Sequence, residues 1–226
     1  MCDRSLRRSR LVPQANTDGE GAELWRSDGK RGGARLVEDI YRGGRGSAPR
    51  YLTPCGASLY FAADDGRYGD ELWASDGSLG HLGDDDTRVA PGFQTSGGRG
   101  THLVHDVRAG RDGGAPKHLA CLPASAQSGA SARDVLFFAA DDGGAHGEEL
   151  WAVKAGRRGG ATLVRDVRPG RRGSSPRYMT AFGSRVFFQV LSRDVMASSH
   201  DDCRGVMTHV SHIRSVSLLQ EGRRVS

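Results

Sequence analysis

The chain has 226 residues, of which 37% are hydrophobic and 33 are glycine, and its formal net charge is +5. This length allows one large domain or two small ones, and the high glycine content favours many turns and short strands over long helices. No apolar run reaches the roughly 18 residues of a membrane helix, so the sequence predicts no membrane span. Nearly all the cations are arginine, which indicates a compositional bias rather than selection for nucleic-acid binding.

The first segment, residues 1–14, is basic and lacks the apolar stretch of a signal peptide. It matches none of the motifs that recur further along the chain. We therefore expect residues 1–14 to be a poorly ordered basic extension.

Four short motifs recur from residue 15 onward, and the most distinctive is Glu-Leu-Trp, at residues 23–25, 71–73 and 149–151. "SLYFAADDG" is repeated as "VLFFAADDG", and a third copy begins with "RVFFQV". "LVEDI", "LVHDV" and "LVRDV" each precede a glycine-rich turn that ends in proline. Such self-similarity is the mark of a repeat architecture.

Each motif is four to eight residues long, rich in β-branched, leucine or aromatic residues, and bounded by glycine, aspartate or proline, which is typical of a strand. Four strands in a unit of about 48 residues match one blade of a β-propeller. The predicted strands are, by type, A at 49–54, 116–121 and 176–181; B at 58–64, 134–140 and 185–190; C at 22–27, 70–75 and 148–153; D at 35–40, 102–107 and 162–167.

The predicted fold is therefore all-β: a β-propeller-like array of four-stranded antiparallel blades. Residues 15–190 divide into a half blade (15–48), two complete blades (49–110 and 111–173) and a second half blade (174–190). Joining the halves would close a ring of three blades, fewer than the four to eight of known propellers. We thus expect an incomplete or open ring, whose missing blades a longer chain or self-association would supply.

The ordered motifs resemble the ELWxSDGT repeat family, with its following GTxLVxDIxPGxxGSxPxxLT, over about residues 15–190. Two parts depart from that pattern: the third copy reads "ELWAVKAG", and residues 191–226 match nothing in the unit. The resemblance implies a β-propeller and an extracellular or cell-surface location. It implies no catalytic residues, because the family is defined by its repeat.

Alternation along "GDELWASDG" puts Leu72 on one face of a strand and Glu71 and Trp73 on the other. Both faces of a blade are covered by neighbouring blades, so each unit needs its own leucine and tryptophan. The sequence predicts that Trp25, Trp73 and Trp151 pack between units, with Trp25 the least enclosed.

Paired aspartates follow two of the B strands, in the loops "ADDG". Loop carboxylates can bind Ca²⁺, which makes Asp64, Asp65, Asp141 and Asp142 candidate calcium ligands, with Glu71 and Glu148 or Glu149 nearby. The alternative is a set of Asx turns with solvated carboxylates.

A second set of acids ends the D strands at the same place in each unit: Asp39, Asp106 and Asp166. We expect these to be structural, each accepting backbone hydrogen bonds from the turn that follows.

The four cysteines form no CxxC pair. Cys55 and Cys121 fall near the same position of successive A strands, and we expect matching strands of adjacent blades to be too far apart for a disulfide, which requires Cα atoms within about 7 Å. The tail residues His200, Cys203 and His209, with His212, are zinc-ligand types at a spacing that fits no zinc motif. Residues 191–226 are expected to be a poorly ordered tail.

The leading functional hypothesis is a non-enzymatic binding or scaffold module for a protein or carbohydrate ligand, with no cofactor unless the aspartate loops bind Ca²⁺. A propeller enzyme of the lyase or glycosidase class is one alternative. A second is an arginine/glycine-rich RNA binder. Nucleic acid is the less favoured partner, because the short Arg-Gly strings occupy turn positions where glycine is needed anyway.

Overall fold

The protein is built from β-strands joined by tight turns. The structure, a computed structural model, describes residues 10–17, 21–79, 100–127, 132–156, 160–190 and 214–216. The strands in this part of the chain are β1 (Arg10–Thr17), β2 (Gly21–Ser27), β3 (Ala34–Glu38), β4 (Arg50–Cys55), β5 (Ser58–Asp64), β6 (Asp70–Ser75), β7 (Thr101–His105), β8 (Lys117–Leu122), β9 (Val135–Asp141), β10 (Glu148–Lys154), β11 (Thr162–Arg165), β12 (Arg177–Phe182), β13 (Arg185–Gln189) and β14 (Arg214–Val216). A 3-10 turn, Ala124–Ala126, is the helical element found among these residues.

The strands form four antiparallel sheets that follow one another along the chain. The first sheet is β1-β2-β3, the second β4-β5-β6-β7, the third β8-β9-β10-β11 and the fourth β12-β13-β14. The predicted all-β class and the four-stranded antiparallel unit are thus confirmed, and the predicted A to D strands lie within two residues of those observed. β1 begins inside the basic extension, and β14, in the tail, pairs with β13.

The second strand of each complete sheet is buried on both faces. In β5, Phe61 and Ala63 face the first sheet, whereas Tyr60 faces the third. This explains why β5 and β9 are nearly continuous apolar runs rather than alternating ones.

Three apolar clusters hold successive sheets together, one at each junction. Leu24, Leu72 and Leu150 each point toward the following sheet, while Trp73 and Trp151 point back toward the preceding one. The Glu-Leu-Trp motif thus contributes to both junctions of its own sheet, which is why every unit carries a copy. Trp151 is 9% exposed, and Trp73 and Trp25 are half-buried.

The A strands of successive sheets lie next to each other, so that β4 contacts β8, and β8 contacts β12. Here the expectation about the cysteines is wrong: Cys55 and Cys121 form a disulfide, with their Cα atoms 5.4 Å apart. Each cysteine is on the edge strand of its sheet, where the two sheets converge. Matching positions on these strands are therefore within bridging distance.

The two long insertions of the repeat are in the β6–β7 and β8–β9 connections. Residues 80–99 of the first insertion and 128–131 of the second lie outside the described residues. Within the third sheet, the backbone N–H of Ala155, after β10, donates to the carbonyl of Asp134, before β9, over 2.8 Å. The β8–β9 connection and the connection that follows β10 therefore lie at the same end of the third sheet.

Candidate functional site

The glutamate of each Glu-Leu-Trp motif is completely buried: Glu23, Glu71 and Glu149 are 0% exposed. Each carboxylate reaches the connection that runs from the last strand of its own sheet to the first strand of the next sheet. A buried carboxylate is costly unless several donors stabilise it. The surrounding backbone has to supply these donors.

Glu71 shows the arrangement. Its Oε1 accepts hydrogen bonds from the backbone N–H groups of Arg108 at 3.0 Å and Gly114 at 2.6 Å, and its Oε2 accepts one from Val107 at 3.1 Å. The carboxylate therefore holds both ends of the Val107–Gly114 connection.

The other two units repeat this arrangement with one addition, a serine in place of Gly114. Glu23 binds the backbone N–H groups of Ile40, Tyr41 and Ser47 and also the Ser47 hydroxyl at 2.5 Å. Glu149 binds the N–H of Arg168 at 3.0 Å and the hydroxyl of Ser174 at 2.5 Å. We assign these three glutamates a structural role, as anchors for the connections.

Two glycines allow this connection to approach so closely. A Cβ on Gly69 would lie 2.3 Å from the carbonyl oxygen of Arg111, and one on Gly113 would lie 2.3 Å from the backbone nitrogen of Asp70. Both glycines also have a positive φ, of 71° and 65°. The glycine before Glu-Leu-Trp and the glycine in the turn are thus required because two backbones cross there.

Burial raises the pKa of Glu71 from 4.5 to about 7, against the opposing effect of its three backbone hydrogen bonds, and the nearby charge of Asp106 adds to the increase. Between these values the folded chain holds a proton at Glu71 that the unfolded chain has released. The contribution of Glu71 to the free energy of unfolding therefore falls by about 3 kcal/mol as the pH rises from 4.5 to 7, and is constant above pH 7.

We expect Glu71→Gln to flatten this part of the pH profile of stability, because the amide does not titrate. The measurement is urea denaturation at a series of pH values through the window, for the wild type and the variant. Asp112→Asn is the matched control, since this acid is on the same connection with its side chain 77% exposed. An unchanged pH slope in Glu71→Gln would contradict the assignment.

The acids at the ends of the D strands were expected to accept backbone hydrogen bonds from the following turn, and the structure differs from this expectation. Asp39, Asp106 and Asp166 each have a buried Oδ1 with no hydrogen-bond partner among the described residues. The backbone N–H groups that they were expected to bind are bound instead by Glu23, Glu71 and Glu149. The sequence did not predict that the glutamates bind these N–H groups. Alternation shows on which face of its strand a glutamate lies, but it does not show which part of the chain packs against that face.

The paired aspartates lie in turns of the Asx type. Asp64 Oδ1 accepts the backbone N–H of Gly66 at 2.7 Å, and Asp65 Oδ1 accepts those of Arg67 and Tyr68, both at 2.8 Å. These are the turn contacts that the alternative interpretation of the sequence required.

The equivalent loop of the third sheet has the same turns. Asp141 Oδ1 accepts the N–H of Gly143 at 2.8 Å, and Asp142 Oδ1 accepts that of Gly144 at 2.9 Å. Asp142 Oδ2 also pairs with His146 Nδ1 at 2.6 Å. Burial alone would raise the pKa of Asp142, but the contacts with His146 and the turn lower it, and the same pairing raises the pKa of His146.

Within the described residues, no three His, Cys, Asp or Glu side chains are grouped so that they could hold a metal ion. The calcium assignment of Asp64, Asp65, Asp141 and Asp142 stays a prediction. Melting curves with Ca²⁺ and with chelator would check it. The zinc-ligand types at 200–212 lie outside the part of the chain that the structure describes.

Sequence reasoning overlooked one repeated feature, the second residue of each A strand. Tyr51, His118 and Tyr178 occupy this position, and they follow the basic residues Arg50, Lys117 and Arg177. Tyr51 is 48% exposed and Tyr178 is 74% exposed. The recurring string of proline, a basic residue and an aromatic residue was visible in the sequence and could have indicated this position.

The fold and these sites define an all-β protein made of repeated antiparallel sheets, four strands in each complete sheet, with buried carboxylates that anchor the connections. Comparison with protein-family models, with curated proteins and with solved structures finds no match. The described part of the chain contains no helix with the length and apolar character needed to cross a membrane.

Proposed function

We propose that the protein is a non-enzymatic binding or scaffold module whose sheets are arranged as blades of an incomplete β-propeller of the ELWxSDGT-repeat type. The contacts between β4, β8 and β12 support this arrangement, because the inner strands of propeller blades adjoin one another around an axis. The burial of both faces of β5 and β9 supports it as well. A longer chain or a second copy would supply the missing blades.

The observation that carries the functional proposal is the use of the repeated carboxylates. Glu23, Glu71 and Glu149 are buried and bound to backbone N–H groups. The aspartates of the "ADDG" loops are bound to their own turns. A catalytic acid or base must reach the atom that it protonates or deprotonates, and these groups have partners already. In two of the three units the exposed residues that repeat are a cation and an aromatic ring, Arg50 with Tyr51 and Arg177 with Tyr178, which favours binding over catalysis.

The disulfide between Cys55 and Cys121 supports placing the protein in an oxidising compartment. Structural disulfides persist in secreted and cell-surface proteins and are rare where thiols are kept reduced. We accordingly propose an extracellular or cell-surface location for this module.

The test is to screen the oxidised chain on arrays of carbohydrates and of extracellular proteins, and to incubate every bound ligand with the protein. We expect a ligand that is bound and recovered intact. Turnover of a bound glycan that is lost in Asp142→Asn, with binding retained, would instead establish the enzyme alternative. Binding to no ligand of either array would contradict the proposed function.

A further inference from the structure

The aromatic residue at the second position of each A strand, exposed in Tyr51 and Tyr178 and half-buried in His118, has an unusual backbone conformation. Tyr51, His118 and Tyr178 have φ angles of 58°, 56° and 53°, in the left-handed region. Each lies at an irregularity of strand pairing, where β4, β8 and β12 have an extra residue relative to the neighbouring strand. β-Bulges of this kind redirect a side chain and are common beside binding sites.

The left-handed conformation disfavours a bulky side chain, because its Cβ crowds the backbone, and glycine adopts it freely. Apart from these three positions and Ala48, Ala115 and Ser175, every described residue with a positive φ is glycine. The chain has 33 glycines and uses them at other strained positions. An aromatic residue at the same strained position in all three units therefore requires a reason other than folding.

The three rings follow one another across adjacent strands. The ring centroids of Tyr51 and His118 are 6.4 Å apart, with their planes at 40°. Tyr178 occupies the equivalent position of β12, which contacts β8. We call Tyr51, His118 and Tyr178 the aromatic row.

Charges beside the aromatic row are largely paired. Arg50 forms an ion pair with Asp70, and Lys117 forms one with Glu148 at 2.5 Å. Arg177 is exposed and forms no ion pair with any described residue. The row thus combines aromatic rings, groups that both donate and accept hydrogen bonds, and one unpaired cation.

His118 belongs to the row as a neutral ring. Burial and the adjacent positive charge of Lys117 lower the pKa of His118 below its ordinary value of 6.5. Its imidazole is therefore uncharged at neutral pH, and the row carries no second unpaired cation.

This combination suits sugar rings better than a nucleic acid. The C–H groups on the face of a pyranose carry partial positive charge and stack on the electron-rich face of an aromatic ring. Sugar hydroxyls both donate and accept hydrogen bonds. The ion pairs beside the row offer both kinds of partner, since the cation donates hydrogen bonds and the carboxylate accepts them. A phosphate chain would need a run of unpaired cations, and two of the three beside the row are neutralised. The remaining one, Arg177, can bind a sugar carboxylate.

We propose that the aromatic row binds a polysaccharide that carries carboxylate groups, with sugar rings stacked on Tyr51, His118 and Tyr178 and a uronate carboxylate bound by Arg177. This inference rests on the proposed binding function and names its ligand class.

The first part of the test separates function from folding. We expect the double variant Tyr51→Gly, Tyr178→Gly to melt at the wild-type temperature or above it, because glycine relieves the strain, and to bind an oligogalacturonate at least about tenfold more weakly. Tyr51→Asn, Tyr178→Asn gives a second version, since asparagine tolerates a positive φ. Phe182→Ala is the matched control: this side chain is on β12, 76% exposed and outside the row, and the variant should keep wild-type affinity.

The second part separates the ligand classes, by titration calorimetry with an oligogalacturonate, a neutral gluco-oligosaccharide of equal length and oligothymidylate. Preference for the oligogalacturonate, reduced in Arg177→Gln, supports the proposal. Equal binding of the neutral sugar, or preference for oligothymidylate, overturns it, as does a lower melting temperature in both the glycine and the asparagine variants. Failure of all three probes overturns it too, but leaves the proposed function standing if the arrays yield a protein ligand.

Discussion

Replacing Trp151 with alanine should lower the free energy of unfolding by about 3–5 kcal/mol, the cost of removing a large aromatic side chain from a packed core. Trp151 is 9% exposed and packs in the cluster between the second and third sheets with Leu72 and Phe138. Its Nε1 donates to the carbonyl of Ala140 over 3.1 Å, a hydrogen bond that the substitution also removes. The measurement is urea denaturation followed by circular dichroism.

Trp25→Ala is the control for the Trp151 result. Trp25 occupies the same motif position but is only half-buried, in the first sheet. We expect its replacement to cost clearly less, and Trp73→Ala to lie between the two. Equal losses for Trp25 and Trp151 would show that packing between sheets is not what these tryptophans contribute.

Removing the disulfide with Cys55→Ala and Cys121→Ala should lower the free energy of unfolding by about 4 kcal/mol. The bridge joins residues that are 66 positions apart, so it closes a long loop and strongly restricts the unfolded chain. Oxidised wild type, reduced wild type and the double variant would be compared by urea denaturation. The reduced protein should unfold near the midpoint of the variant.

The other two cysteines provide the control for the disulfide. Cys2→Ser with Cys203→Ser leaves only the bridging pair, and this variant should unfold as the oxidised wild type does. If reductant lowered the urea midpoint of the Cys55→Ala, Cys121→Ala variant as much as that of the wild type, a different disulfide would be the stabilising one.

Trp151→Ala and removal of the disulfide both weaken the junction between two successive sheets. Leu72, Trp151 and the bridge from Cys55 to Cys121 all join the second sheet to the third. Where each repeated unit is stabilised mainly by its neighbours, a loss at one junction weakens the units on both sides. We therefore expect the second and third sheets to unfold together.

The sequence by itself determined the strands of the repeated motifs and the faces that they bury, but not β1 and β14, which lie outside those motifs. Strands such as Ser58–Asp64 are recognisable because a short run of apolar and aromatic residues and the Asp-Gly turn that follows it are local properties of the chain. The opposed directions of Leu72 and Trp73 follow from the two-residue period of a strand. Repetition of the motifs then implied that every unit has the same fold.

Only the tertiary structure decided which groups from distant parts of the chain meet. Cys55 and Cys121 bond because two edge strands converge, and the partners of Glu71 are backbone N–H groups of a connection more than thirty residues away. Side-chain types do not reveal such partners, since every residue except proline offers the same N–H group. The left-handed conformation of Tyr51 was hidden for a related reason: a bulge imposed by pairing with the next strand sets that φ angle, against the local preference of tyrosine.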